Sequence, residues 1–237
     1  MPAERAEEAR ASWLERFPGG FEERALDGGV ELAAYTDAEP PPAARVEDVD
    51  EGWEDRWREF HRPVRAGPFW IGPPWERPPR AVVPIVIDPG RAFGTGAHPT
   101  TRLCVEAVSE LPPQSLVDVG CGSGVLAIAA ALLGFAPVVA VDVDPVAIEA
   151  AVRNGAANGV ALDARRLDAT LAPLPTVAVV VANVSLELVE SLLPRVDAPV
   201  AVTSGYLERD EPAFGPYRRV GRRTLDGWAA DLLERAQ

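Results

Sequence analysis

Three glycines on alternate positions are the residues of this chain that point most clearly to a chemical role. Gly120, Gly122 and Gly124 come directly after the apolar run LVDV, which predicts a buried strand. A backbone that lacks Cβ atoms can approach a ligand closely, and doubly wound sheets bind their ligands around the turn after the first strand. The sequence therefore predicts a cofactor-binding turn at these glycines.

The spacing of the glycines separates two classes of cofactor. The dinucleotide fingerprint G-x-G-x-x-G would place its third glycine where this chain has Val125. With Asp118 ahead of the first glycine, the pattern is instead D-x-G-x-G-x-G, which is used to hold S-adenosyl-L-methionine. That ligand has no pyrophosphate to neutralise, and the acid is expected to face its methionine ammonium. The pattern favours the methyl donor over NAD.

Two acids at later strand ends are candidates for the rest of the donor. Asp142 ends the second predicted strand, where a carboxylate can accept both ribose hydroxyls. Asp144 could serve instead if that strand ends later, and either acid could simply cap the helix that begins at Pro145. Asp168 follows a weak third strand and is either a partner of the adenine amine or a solvated loop acid.

Asn183 is the candidate catalytic residue, because it ends the fourth predicted strand, in the run VVVAN. Its side-chain amide offers both a donor and an acceptor at the position nearest the donor's methyl group. The alternative role is to cap the next helix, and the two roles are compatible. We predict that Asn183 aligns the attacking group.

The elements around these residues alternate between short apolar strands and helices, which predicts a doubly wound parallel sheet covered on both faces. The predicted strands are 82–88, 116–119, 138–142, 165–167, 177–182 and 200–204, and the predicted helices are 100–111, 124–133, 145–158 and 186–193. The fold class is therefore α/β, a Rossmann-like domain.

Composition divides the chain into three predicted parts. Residues 1–52 read as a small α+β module with a helix at 3–16, a hairpin at 22–35 and a short strand at 45–49. Residues 53–80 read as a linker rich in Trp and Pro with one strand, whose aromatic side chains either anchor it or contact a substrate. Residues 81–237 form the predicted catalytic domain.

Charge and cysteine content narrow the function classes. The net charge is -13, which argues against direct binding to a nucleic acid and favours a basic partner. Two cysteines and two histidines predict neither a disulfide framework nor a metal site, and Cys121 is either a turn filler or a nucleophile. No apolar run is long enough to span a membrane, so we expect a cytoplasmic protein, by default a monomer.

Several segments resemble the ribosomal protein L11 methyltransferase family, class I enzymes that methylate amines of a large-subunit ribosomal protein. The resemblance starts near Trp53 and rests on IDPGRAFGTGAHPTTRLC, DVGCGSGVLAIAA, VDVDPVAI, the pair Asn154 and Asn158, SGYL from Ser204, and GWAADLL. It implies a mostly parallel seven-stranded sheet. The segment FGTGAHPTT is specific, whereas the glycine motif alone indicates only some methyltransferase.

Matching the motifs implies donor-binding roles for Thr101, Gly120, Asp142 and Asn183. Thr101 is added by the resemblance alone, as a contact for the methionine end of the donor, and the resemblance leaves His98 as a residue that shapes its loop rather than a base. The chain departs from the family after Asn183, where it has Val-Ser-Leu instead of Ile-Leu-Ala. Its first module also lacks an obvious second helix.

The reaction implied is in-line attack of a neutral amine on the sulfonium methyl group. Alignment would supply most of the rate enhancement, with no strong general base, and the loop 93–98 would close over the donor. Two alternatives stay open. One is a related methyltransferase for another protein lysine or a small molecule, and the other is an inactive donor-binding interaction module.

Overall fold

The computed structural model describes residues 22–26, 29–34, 61–88 and 94–236. By spatial contact the chain divides into two compact units, residues 1–57 and 58–237. In the smaller unit, β1 (Glu22–Leu26) and β2 (Gly29–Ala33) form an antiparallel hairpin, as the turn signal between them predicts. The predicted elements at 3–16 and 45–49, and the aromatic side chains Trp53 and Trp57, lie outside the described residues.

The larger unit begins with a small sheet of three strands: β3 (Val64–Ala66), β4 (Phe69–Gly72) and β5 (Val83–Val86). β3 runs antiparallel to β4, and β4 runs parallel to β5. The sequence predicts a single strand before β5, and the structure corrects this to a hairpin. Trp70 is only 5% exposed within β4, so its indole anchors this sheet instead of offering a surface to a substrate.

The main sheet has seven strands in the order β8-β7-β6-β9-β10-β12-β11. Their bounds are β6 (Leu116–Val119), β7 (Val138–Asp142), β8 (Asp163–Arg166), β9 (Val179–Asn183), β10 (Val200–Leu207), β11 (Tyr217–Leu225) and β12 (Trp228–Arg235). β6 to β10 pair in parallel, and β12 pairs antiparallel with both β10 and β11. The predicted mostly parallel, doubly wound fold is confirmed.

In the described part of the chain, four helices connect the strands: α1 (Pro99–Ser109), α2 (Val125–Leu132), α3 (Pro145–Ala157) and α4 (Leu186–Leu192), the last followed by a 3-10 turn at Leu193–Arg195. They cover both faces of the sheet. Successive strand residues point to opposite faces, so each strand contributes side chains to both layers. In β6, for example, Leu116 packs in one apolar cluster and Val117 in another. The sheet thus separates two apolar cores, one on each face.

The strand order reverses at β6. From β6 the chain proceeds outward to β7 and β8 and then returns to place β9 on the other side of β6. In sheets of this kind ligands bind at the carboxyl ends of the strands flanking the reversal. The glycine turn follows β6 and Asn183 ends β9, so the topology brings the two predicted halves of the site together.

Candidate active site

The glycine turn adopts a conformation that only glycines accommodate well. Gly120, Gly122 and Gly124 have φ angles of 70°, 51° and 82°, all in the left-handed region. A Cβ atom on Gly120 would lie 2.5 Å from Val184 Cγ1, and one on Gly124 would lie 2.9 Å from the Cα and Cβ atoms of Ala151. The turn is therefore packed closely on the start of the β9–α4 connection and on α3.

Asp142 is bound directly to the glycine turn. Its Oδ2 accepts a hydrogen bond from Gly122 N at 3.0 Å, and its Oδ1 accepts one from Asp144 N at 3.0 Å. Asp144 has the alternative role that the sequence left open, since its Oδ1 accepts from Val146 N at 2.8 Å and caps α3. Asp142 is thus the acid that faces the turn, and its contact with a ribose stays a prediction.

Asp118 lies inside the protein, with 1% of its surface exposed. Its Oδ2 accepts a hydrogen bond from Ala127 N, in the first turn of α2, at 3.1 Å, whereas its buried Oδ1 has no hydrogen-bond partner. Burial raises the pKa of this carboxyl to about 7; the hydrogen bond from Ala127 opposes the increase and the charge of Asp142 adds to it. Oδ1 is the atom with which Asp118 could meet a ligand cation.

Asp168 forms the turn that follows β8. Its Oδ1 accepts from Thr170 N at 2.9 Å and from Thr170 Oγ1 at 2.6 Å. These hydrogen bonds lower the pKa of the carboxyl, the side-chain bond most strongly. The observed role is local, as one of the two alternatives expects, and the contact with adenine stays a prediction.

Asn183 and Thr101 are in direct contact, although 82 residues separate them. The Nδ2 atom of Asn183 donates a hydrogen bond to Thr101 Oγ1 at 3.2 Å. Thr101 lies in the first turn of α1 and is only 4% exposed. The suggestion that Asn183 caps α4 is wrong, because Ser185 occupies that position and its Oγ accepts from Leu188 N.

The segment 94–98 packs on the glycine turn from the side of α1. Ser123 Oγ donates a short hydrogen bond to Gly94 O, and a Cβ atom on Gly96 would lie 2.5 Å from Ile71 Cγ2. His98 caps α1, with its Nδ1 2.8 Å from Thr100 Oγ1, and its ring contacts Trp228 edge-on. Burial lowers the pKa of His98, which favours a neutral imidazole with a structural role.

Asn154 of α3 and Asn158, its C-cap, support the site in a way that the sequence did not reveal. Asn154 Nδ2 donates to Ser123 O at 2.9 Å, and its Oδ1 accepts from Asp88 N at 3.2 Å. Asn158 accepts from Val86 N and donates to Val86 O, both at 2.7 Å. Since residues four apart share one helix face, their spacing was the available signal.

Cys121, in the glycine turn, is buried, and burial strongly raises the pKa of its thiol. Its environment therefore keeps the thiol neutral and suits a turn filler rather than a nucleophile. Among the residues that the structure describes, no group of His, Cys, Asp and Glu side chains is arranged to hold a metal ion. Within the same residues, no helix combines the length and apolarity that crossing a bilayer requires.

Comparison with known proteins identifies the family. The sequence profile described as "Ribosomal protein L11 methyltransferase (PrmA)" matches residues 23–209. The chain is 40% identical over 204 residues to the ribosomal protein L11 methyltransferase of Symbiobacterium thermophilum. The aligned region covers 77% of this chain and 66% of that protein. It is 34% identical over 222 residues to the Myxococcus xanthus protein of the same name, covering 88% and 76%.

Coverage of the relatives is incomplete. The chain spans less than two thirds of the length of several of them, for example 52% of the Pseudomonas paraeruginosa protein, to which it is 42% identical over 156 residues. A crystal structure of the ribosomal protein L11 methylase from Lactobacillus delbrueckii superimposes with a TM-score of 0.65 at 28% identity, covering 75% of this chain and all of that one. The chain belongs to the ribosomal protein L11 methyltransferase family.

Proposed function

We propose that this chain is an S-adenosyl-L-methionine-dependent protein methyltransferase that transfers methyl groups to amines, on lysine side chains and the N-terminus, of ribosomal protein L11. The observation that carries the proposal is the hydrogen bond between Asn183 and Thr101 at the strand-order reversal, beside the glycine turn. Family membership supports the reaction and the substrate class.

The residues around the glycine turn fit the proposed donor. The carboxylate of Asp142, already oriented by Gly122 N and Asp144 N, can accept ribose hydroxyls with its remaining lone pairs. The unpartnered Oδ1 of Asp118 can accept from an ammonium group. Asp168 is the proposed partner of the adenine amine. Gly120 and Gly124 let the turn pack against Val184 and Ala151 without a clash.

When bound, S-adenosyl-L-methionine supplies an electrophilic methyl group on a sulfonium sulfur. The task left to the chain is to hold the attacking amine in line with that group. The Nδ2 atom of Asn183 is committed to Thr101, so its Oδ1 is the atom that can accept a hydrogen bond from the amine. Thr101 therefore fixes the rotation of the Asn183 amide, and Asn183 fixes the direction of attack.

The amine must be neutral when it attacks, although a lysine amine with a pKa near 10.4 is mostly protonated at pH 7. Desolvation inside the site favours the neutral form. His98 caps α1 through its Nδ1, and we propose no proton transfer by it. The methylated amine releases its proton to water. Alignment supplies most of the rate enhancement, which for well-oriented groups reaches on the order of 7 kcal/mol.

The partner is proposed to be a basic protein, because the net charge of -13 favours basic surfaces and disfavours a phosphate backbone. We propose a cytoplasmic monomer that does not bind nucleic acid or membranes. In the proposed domain organisation, residues 1–52 recognise the substrate and residues 81–237 catalyse methyl transfer. Residues 53–80 link these two parts. Val184, Ser185 and Leu186, which replace residues usual in the family, are the reason to keep an altered substrate or an inactive donor-binding module as the second candidate.

Labelled methyl incorporation tests the proposal. The protein is incubated with methyl-labelled donor and a ribosomal protein extract from cells that lack the corresponding activity. A single labelled band at ribosomal protein L11 is expected. A labelled band elsewhere would assign a different substrate. If calorimetry shows donor binding but no band is labelled, the chain is a donor-binding module without catalysis.

A further inference from the structure

A close backbone contact lies directly beside Asn183. β10 carries a bulge, with the pairing to β12 shifting between Ser204 and Tyr206, and Gly205 lies at the shift with φ 102°. A Cβ atom on Gly205 would lie 1.8 Å from the carbonyl oxygen of Val184 and 2.6 Å from its carbonyl carbon. Val184 N donates to Ser204 O at 3.2 Å. The backbone of Val184, the residue after Asn183, therefore packs directly against Gly205, which has no side chain.

Val184 also lies close to a second glycine. Its Cγ1 atom lies where a Cβ atom of Gly120 would come within 2.5 Å. Val184 is thus enclosed between two glycines, one in the donor turn and one in β10. The first contact involves its side chain and the second its backbone. This difference allows the two contacts to be tested separately.

Hydrogen bonds hold β10 on both sides of Gly205. The Tyr206 hydroxyl is 2.8 Å from Thr203 Oγ1 and donates to Asp231 Oδ2 at 3.0 Å, and Asp231, which is fully buried, pairs with Arg222 at 3.0 Å. Ser204 Oγ donates to Ala229 O at 2.6 Å. Because the residues on both sides of Gly205 are bound to β12 in this way, an added methyl group at Gly205 would displace Val184 instead.

We propose that Gly205 is a positioning residue for methyl transfer, which sets the place of Asn183 by letting the Val184 backbone rest on β10. The proposal deepens the proposed function, on which the role of Asn183 rests. Gly205 acts only through Val184. Displacement of Val184 moves Asn183 away from Thr101 Oγ1 and so misdirects the amine, while Asp142 stays bound to Gly122 N and Asp144 N.

The direct test compares Gly205→Ala with Gly134→Ala. Gly134 has a similar φ of 92°, but a Cβ atom there would meet only Pro113 carbons at 3.9 Å, an ordinary contact. Both variants carry the backbone strain of a left-handed alanine, and only the first carries the clash. The readout is the side-chain amide resonance of Asn183 in the donor-free protein, assigned by its loss in Asn183→Asp. We expect it to shift in Gly205→Ala and to stay in place in Gly134→Ala.

Turnover gives the second readout. A misplacement of about 1 Å can cost on the order of a hundredfold in rate, so kcat of Gly205→Ala should decrease by that order while donor Kd changes less than about threefold. A folded Gly205→Ala protein with an unmoved Asn183 resonance, or with kcat close to that of the parent, would overturn the proposal. If the parent itself labels no substrate, the proposed function fails, and the resonance still decides on the positioning.

A second pair of variants covers the case in which Gly205→Ala does not fold. Gly120→Ala should shift the Asn183 resonance, because its methyl group meets the Val184 side chain. Adding Val184→Ala removes Cγ1 and should restore the resonance. The same Val184→Ala change should not rescue Gly205→Ala, whose clash is with backbone atoms. If the Asn183 resonance does not shift in Gly120→Ala, the proposed contact of Val184 with Gly120 is contradicted.

Discussion

The two halves of the candidate site are built on different principles. The donor half, around the ends of β6 and β7, is held by contacts within one β–α–β unit, such as that of the Asp142 carboxylate with Gly122 N, 20 residues earlier. The acceptor half, around the ends of β9 and β10, depends on contacts between distant residues, such as Asn183 with Thr101. A pattern within about 25 residues can specify the first half, whereas the second joins residues about 80 apart and forms only when distant parts of the sheet meet.

This contrast predicts that damage to the acceptor half affects turnover and damage to the donor half affects affinity. Asn183→Ala tests the acceptor half and should have the largest effect. Loss of the amide leaves the amine unaligned, so kcat should decrease by on the order of a hundredfold, while donor Kd, measured by calorimetry, changes little. Thr101→Val keeps the shape of residue 101 but removes the acceptor for Nδ2, and should lower kcat in the same direction.

The result that would break the comparison is the reverse pattern. If Asn183→Ala weakened donor binding and kept its turnover at saturating donor, Asn183 would belong to the donor half. Circular dichroism of both variants checks that the fold is intact.

Asp142→Ala tests the donor half. Charge-assisted hydrogen bonds to ribose hydroxyls would be lost, so donor binding should weaken by about 2 kcal/mol, while kcat at saturating donor changes less. Asp144→Ala is the matched control, because Asp144 caps α3 and its loss should cost about 1 kcal/mol of stability rather than donor affinity. Equal donor affinity in Asp142→Ala and the parent would remove Asp142 from the site.

The same contrast explains how far the sequence alone leads. The glycine turn, Asp142 and the alternation of strands and helices are local patterns, and the structure has them where they were expected. The hairpin of β11 and β12 was not placed, because β11 reads YRRVGRRTL and lies at an edge where most of its side chains reach solvent. Without a buried face it shows no apolar alternation.

Contacts across the sheet were equally invisible. Thr101 entered only through resemblance to a family, since a threonine in the first turn of a helix has no distinctive spacing. Nothing in SGYL indicates that Gly205 supports Val184, because that contact depends on the parallel register that pairs Ser204 with Asn183. Asn183 could be predicted as a strand-end residue, but the partner that orients it could not.

Asp118 tests the donor half through the pH dependence of stability. Its folded pKa of about 7 is above its ordinary value of 3.8, so between these values the folded state binds more protons than the unfolded state. The stability of the donor-free protein should therefore decrease as pH increases from about 4 to 7, by at most about 1.4 kcal/mol per pH unit from this group. Above pH 7 the carboxyl is ionised in both states and the slope disappears.

Asp118→Asn isolates this contribution, because an amide cannot titrate yet can still accept from Ala127 N. Urea unfolding of the parent and the variant between pH 5 and 7.5 should give stabilities that converge or cross, with the parent losing stability relative to the variant as pH rises. Parallel curves would mean that the carboxyl ionises normally. Saturating donor should flatten the parent's slope if its ammonium meets the unpartnered Oδ1, since a cation there favours the ionised carboxylate. A slope unchanged by donor would remove Asp118 from the donor half and leave it a buried acid that only accepts from Ala127 N of α2.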